Sequence, residues 1–194
     1  MKIKISILGS TGSIGVSTLK IIESKKKLFS IDTLMANSNY QAICKQIIKY
    51  KPKNFVVNDF KTFNKVIKRF NKSKVNFFNN QKHCIKKNKQ VDIVVCAIPG
   101  IQGLKPTLDF AKIGKKLLIA NKESIICGWK LLSKIIKKKK NILIPIDSEH
   151  YSISKLLESK EKDNLISKIF ITASGGPFFM QKKIKKIITP QNAL

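Results

Sequence analysis

Three evenly spaced glycines, Gly9-Ser-Thr-Gly12-Ser-Ile-Gly15, stand between an apolar β-branched run at the head of the chain and a segment of helical period. In that setting the glycines have separate jobs. The first allows a tight turn, the second lets backbone amides approach a pyrophosphate, and the third lets the following helix pack closely on the strand. The helix N-terminus then faces the anion. No Gly-Lys-Ser/Thr closes the loop, which excludes the phosphate loop of nucleoside triphosphatases. A plain glycine-rich turn without a ligand is the alternative reading of the same residues.

The rest of the chain repeats the strand–helix alternation that this motif requires. Strands are predicted over Lys2–Leu8, Ile31–Ala36, Phe55–Asn58, Lys74–Phe78, Val91–Ala97, Lys115–Ala120 and Ile142–Ile146. Helices are predicted over Ser13–Ser24, Tyr40–Tyr50, Lys61–Phe70, Gly103–Lys112 and Glu123–Lys139. Near-continuous apolar runs such as Val91–Ala97 suit strands covered on both faces, so the expected class is α/β, a doubly wound parallel sheet of Rossmann type. That domain is expected over residues 1–146. Beyond it, Ser148–Ser159 reads as a helix, Lys168–Ala173 as a strand and Ser174-Gly-Gly-Pro177 as a sharp loop. Residues 147–194 are too few to close a second core of their own and read as the start of a further, α+β domain that breaks off.

The end of the second strand selects the dinucleotide. An NAD site places a carboxylate there for the ribose hydroxyls, whereas Asn37, Ser38 and Asn39 are uncharged and can donate to a 2′-phosphate, so NADPH is favoured. Asp147-Ser148-Glu149-His150 follows the last strand at the carboxyl edge, where open α/β sheets bind ligands. Two carboxylates so close suit a hard divalent cation, Mg²⁺ or Mn²⁺. They equally suit a helix start with an acidic first turn. Asn121-Lys122-Glu123-Ser124 has the same ambiguity, and Ser174 with its two glycines could hold a phosphate or simply turn the chain.

Net charge must be weighed, because +28 is the usual footprint of a nucleic-acid binder. Here 38 of the 39 basic residues are Lys and one is Arg69, while Ile (31) and Asn (14) are inflated alongside. All three have A- and T-rich codons, and a base-reading surface would draw on Arg. Diffuse adhesion at low salt is therefore expected, and specific nucleic-acid binding is not. Cys44, Cys84, Cys96 and Cys127 form no CxxC, and three of them lie in apolar stretches, as core thiols do. Apolar runs are all broken well short of the roughly 18 residues that span a bilayer. With a strand beginning at Lys2, no leader is expected and the compartment is read as cytoplasmic.

Four blocks, ILGSTGSIGVSTL, LIANKESIICGW, PIDSEHYSI and ITASGGPF, resemble in order and spacing the 1-deoxy-D-xylulose 5-phosphate reductoisomerase family. The resemblance implies an NADPH- and divalent-metal-dependent enzyme (Mg²⁺, Mn²⁺ or Co²⁺) of non-mevalonate isoprenoid biosynthesis. It implies isomerisation of a sugar phosphate followed by reduction to 2-C-methyl-D-erythritol 4-phosphate. Carried over residue by residue, it implies a cofactor loop at Thr11, Gly12, Ser13 and Ile14 and 2′-phosphate contacts at Asn37, Ser38 and Asn39. The family often has Gly-Lys-Asn at those three positions, so a cation is missing here. It further implies cofactor contacts at Asn121 and Glu123, substrate contacts at Lys122, Ser148, Glu149 and Ser174, and metal ligation by Asp147 and Glu149. Lys122 and Glu149 would be catalytic. Members of the family are homodimers about twice this length, with a third metal carboxylate and further phosphate contacts beyond Leu194. A chain of residues 1–194 alone is thus expected to be inactive. A non-catalytic dinucleotide-binding remnant, another Rossmann oxidoreductase and a basic nucleic-acid binder are the rival readings.

Overall fold

A computed structural model describes residues 2–87, 90–158 and 168–170 of the chain, which divides into two units, Met1–Asp147 and Ser148–Leu194. In the first unit seven strands form one sheet: β1 (Ile3–Leu8), β2 (Phe29–Ala36), β3 (Asn54–Val57), β4 (Asn76–Phe78), β5 (Val91–Cys96), β6 (Gly114–Ile119) and β7 (Ile142–Pro145). Their order is β4-β3-β2-β1-β5-β6-β7, and every pairing is parallel. The chain winds outward from β1 to one edge, then returns to β5 on the other side of β1 and winds the opposite way. That reversal puts the topological switch point between β1 and β5, so the loops after these two strands diverge and leave a crevice at the carboxyl edge.

The period-2 alternation of the strands decides which side chains meet which helices. On one face Ile5, Ile7, Leu34, Phe55 and Val57 pack with Leu19 and Ile22 of α1 (Ser13–Ser24), Ile43 and Ile47 of α2 (Tyr40–Tyr50) and Val66 of α3 (Phe60–Arg69). On the other, Leu8, Met35, Val56, Val94, Cys96, Leu117 and Ile119 pack with Cys84 of α4 (Gln81–Lys87), Phe110 of α5 (Leu104–Ala111) and Leu132 of α6 (Lys122–Lys139). Each large side chain removed from water here contributes about 1.5–3 kcal/mol. The two layers together hold the sheet rigid beneath its loops.

The expected sheet is present, with element ends shifted by one or two residues. Within residues 79–90, where the sequence pattern predicts no element, α4 forms; its seven residues carry too short a pattern to read, and it packs on the core through buried Cys84 with Ile85 beside it. In the second unit, α7 (Ser148–Glu158) forms with Glu149 in its first turn. Lys168, Ile169 and Phe170 are exposed and pair with no strand among the described residues. The remainder of that expected strand and the loop at Ser174 lie outside the described residues. No helix among the described residues is long and apolar enough to cross a membrane.

At the amino edge one carboxylate ties three central strands together. Asp92 accepts from the Lys4 backbone N–H at 2.9 Å and from Lys115 Nζ at 2.7 Å. The Lys115 ammonium, and then the Lys4 amide, hold its carboxyl below the usual Asp value of 3.8. A depressed folded pKa gives stability that is present above the unfolded pKa and lost as pH falls through the folded one. Replacement by Asn (D92N) should therefore cost stability near neutrality, by under about 1 kcal/mol for so exposed a pair. That difference should shrink progressively in melts taken at pH values below the usual Asp value of 3.8; a difference that stays constant with pH would contradict the assignment.

Candidate functional site

Two adjoining hollows open over the switch point. One, about 320 Å³, is lined by Gly9, Thr11, Gly12, Ala36, Asn37, Asn58, Ala97, Ile98, Pro99 and Gln102. The other, about 250 Å³, is lined by Gly12, Ser13, Ile14, Ala97, Ile98, Pro99, Ala120, Asn121, Lys122 and Glu123. They share Gly12 and the segment from Ala97 to Pro99, so they form one cleft running from the end of β2, past the glycine turn, to the start of α6.

The glycine turn is built by packing. Gly9 has φ +87°, and a Cβ on it would stand 2.6 Å from the Ala97 carbonyl oxygen. A Cβ on Gly15 would stand 2.3 Å from the Gly9 oxygen, so the first turn of α1 rides directly on the backbone of the loop. Gly12 differs. Its Cβ would meet only the Gly9 oxygen, at an ordinary 3.5 Å, and its φ of −78° suits any residue. The fold does not need a glycine at 12; the space in front of it is open to the cleft. The same residue is the N-cap of α1 and offers no side-chain hydrogen bond, whereas α2, α3 and α6 are capped by Asn39, Asp59 and Asn121. The first amides of α1 thus face the cleft with their partial positive charge. The open space, which a Cβ at 12 would partly fill, and the uncapped amides have the shape and charge that fit a pyrophosphate.

At one end, Asn37 lines the cleft at the close of β2. Ser38 and Asn39 are exposed beside it, with Asn39 Oδ1 accepting from the Ala42 amide and so starting α2. At the far end Lys122 and Glu123 line the wall from the first turn of α6. Asn121 lines it too, but its side chain is 3% exposed and turned inward. Its Oδ1 accepts from the Ser124 amide, and its Nδ2 donates to the carbonyls of Ile98 and Gly100. The carboxamide therefore staples the loop after β5 to the head of α6. A Cβ on Gly103 would collide with this staple. Sequence reasoning misses Asn58, Ile98, Pro99 and Gln102; the first three lie just past a strand end, the one signal that could have found them, and Gln102 sits in the 3₁₀ turn Ile101–Gly103 that follows.

Asp147 closes the first unit two residues beyond β7, and Glu149 belongs to the second. Glu149 is exposed, and its Oε2 accepts from Ser148 Oγ at 2.8 Å. Oxygen donors of this kind suit Mg²⁺ or Mn²⁺. Among the described residues, however, no three His, Cys, Asp or Glu side chains gather in a group that could hold a metal. Ser174 lies outside the described residues.

A larger cavity, about 630 Å³, lies at the opposite, amino edge, among Lys112, Lys115, Lys116, Lys139 and Lys140. Helices α5 and α6 both end there, where cations suit the terminal carbonyls beside Lys112, Lys139 and Lys140, while Lys115 and Lys116 stand on β6. Lys112 and Lys115 are further paired with Asp109 and Asp92. None of the four cysteines forms a disulfide; Cys44, Cys84 and Cys96 are buried and Cys127 is exposed. Burial pushes Cys84 up to about 11 and Cys96 up to about 12, which leaves both as inert core groups.

Comparison with known proteins agrees with this geometry. The sequence profile of 1-deoxy-D-xylulose 5-phosphate reductoisomerase matches residues 5–128, and that of the C-terminal domain of the same enzyme matches residues 143–194. The reductoisomerase of Pelagibacter ubique is 49% identical over 178 residues, covering 90% of this chain and 46% of the relative. A Zymomonas mobilis reductoisomerase solved with NADPH superposes with a TM-score of 0.83 at 31% identity, over 93% of this chain and 48% of that one. A DOX-P reductoisomerase solved with fosmidomycin and magnesium gives 0.80 at 30% identity, over 95% and 48%. The chain spans about half the length of the curated relatives it matches.

The glycines separate fold from binding. Gly12→Ala should leave the melting temperature within about 2 °C of the parent, while weakening NADPH binding about tenfold or more by filling the cradle. Gly15→Ala, forced against backbone, should cost about 1–3 kcal/mol of stability by thermal or urea unfolding. Equal destabilisation by the two substitutions would contradict the division.

Proposed function

Because this chain belongs to the 1-deoxy-D-xylulose 5-phosphate reductoisomerase family, we propose that it supplies the dinucleotide-binding part and the start of the catalytic part of such an enzyme. Residues 1–146 are the NADPH-binding domain and residues 147–194 open the catalytic domain. The reaction is conversion of 1-deoxy-D-xylulose 5-phosphate to 2-C-methyl-D-erythritol 4-phosphate in isoprenoid biosynthesis. The observation that carries this reading is the open cradle at Gly12, set in a cleft whose two ends hold Asn37 and Lys122.

The pyrophosphate is held at Thr11, Gly12, Ser13 and Ile14 by backbone amides and the N-terminus of α1. Asn37, Ser38 and Asn39 receive the 2′-phosphate by hydrogen bonds alone, since the triad carries no cation. Asn121 acts by shaping the cleft wall through its staple, and Glu123 borders the nicotinamide end. Bound NADPH supplies the hydride. The Lys122 ammonium is a cation at the same end of the cleft and orients the anionic substrate's hydroxyls. Asp147 and Glu149 are metal-ligand candidates for Mg²⁺ or Mn²⁺ (Co²⁺ also fits the chemistry), with Ser148 and Ser174 on the substrate. The relative solved with fosmidomycin and magnesium supports that part of the reading. Buried cysteines outside any disulfide support a reducing, cytoplasmic setting. The homodimer and the absence of a specific nucleic-acid partner are supported by family membership alone.

Titration of the chain with NADPH and NADH, followed by nicotinamide fluorescence, tests the cofactor. NADPH should bind more tightly by about tenfold, the worth of charge-assisted hydrogen bonds to one phosphate. Equal affinities would overturn the choice of dinucleotide, and no binding of either would overturn the reading of the cleft.

A further inference from the structure

One buried polar pair lies just outside the cleft and touches the glycine turn from behind. Gln46, on α2 and only 6% exposed, faces Ser10, which is fully buried. Ser10 Oγ donates to Gln46 Oε1 at 2.7 Å, and Gln46 Nε2 donates to the Ser10 carbonyl oxygen at 2.8 Å. The carboxamide thus grips one residue at both its side chain and its backbone. The other side of the turn is held by the Met35 carbonyl, which accepts from the amides of Gly9 and Ser10 at 2.9 Å each. Ser10 immediately precedes Thr11 and Gly12, whose backbone lines the cleft.

Such a grip has a physical reason. A glycine-rich turn loses more conformational freedom on ordering than any other sequence, and a ligand that had to order it would bind correspondingly less well. A clamp that fixes the turn beforehand removes that loss. It also links the two ends of the cleft. Gln46 rides on the helix that Asn39 starts, so the segment reading the 2′-phosphate and the loop reading the pyrophosphate are joined through α2. A satisfied core amide would account for the burial but not for the two-point attachment to the residue that leads into the cradle.

Building on the proposed NADPH reading of the cleft, we infer that Gln46 is a positioning residue for the cofactor. Through Ser10 it holds the Thr11–Gly12 backbone in the conformation that accepts a pyrophosphate. It touches no part of the ligand itself.

The test compares two ligands by isothermal titration of the full 194-residue chain. NADPH carries the pyrophosphate; adenosine 2′-monophosphate carries the 2′-phosphate without it. Gln46→Met keeps the side-chain volume and removes both bonds, and should weaken NADPH about tenfold while adenosine 2′-monophosphate changes by less than about twofold. Gln46→Glu, which loses the bond to the Ser10 carbonyl, should show the same selective loss. If Gln46→Met does not fold, Ser10→Ala serves: it removes only the hydroxyl bond and should cost NADPH about threefold on the same pattern. Losses of equal size for both ligands would mean a merely structural amide and would overturn the inference, as would unchanged NADPH affinity. Failure of the unsubstituted chain to bind either ligand would instead sink the reading of the cleft, and the positioning role with it.

Discussion

The contact on which the rest depends is the approach of α1 to the turn at the end of β1. With Gly15 over the Gly9 oxygen there is no room for even one methyl group between helix and loop. This brings the axis of α1 to the edge of the sheet and aims its uncapped amides along the line where β1 and β5 part. The strand order supplies the crevice, and the glycine contact supplies its charge. Either alone would be a fold feature. Their coincidence is what the proposed diphosphate site rests on.

Around that contact the protein spends its buried polar groups on holding loops still. Asn121 staples the loop after β5, Gln46 grips the loop after β1, and the Met35 carbonyl holds both Gly9 and Ser10. In each case a side chain or carbonyl is used up internally so that neighbouring backbone can face the cleft. This division between groups that shape and groups that touch explains why Asn121, a cofactor-contact candidate by sequence, has its side chain turned away from the cavity it lines.

Much of this was legible in the chain itself because it is local. The strands carry period-2 or all-apolar patterns, the first helix starts where glycine allows, and Asn37-Ser38-Asn39 lacks the carboxylate that would repel a 2′-phosphate. Three things were not legible. The short α4 has too few residues for a period to show, and the polar members of the loop clamps find partners 21 to 36 residues away. Gln46 sits within the apolar ICKQI stretch of α2, which hints at a buried amide but not at what it grips. The carboxylates at 147 and 149 stay ambiguous for a different reason. A helix start and half of an ion site use the same residues, and the described residues hold no third ligand to separate them. The lysines mislead in the opposite sense, since five of them gather at the amino edge, away from the cleft, three beside the ends of α5 and α6.

The most direct measurement is a ¹⁵N-resolved NMR titration of the chain with NADPH at physiological salt. The account predicts that amide shifts concentrate at Thr11, Gly12, Ser13, Asn37 and Ile98, with the resonances of Lys116, Lys139 and Lys140 unmoved. Shifts gathered instead at that amino-edge lysine cluster, and fading as salt is raised, would mean that the dinucleotide meets only diffuse positive charge and that the switch-point cleft is not its site.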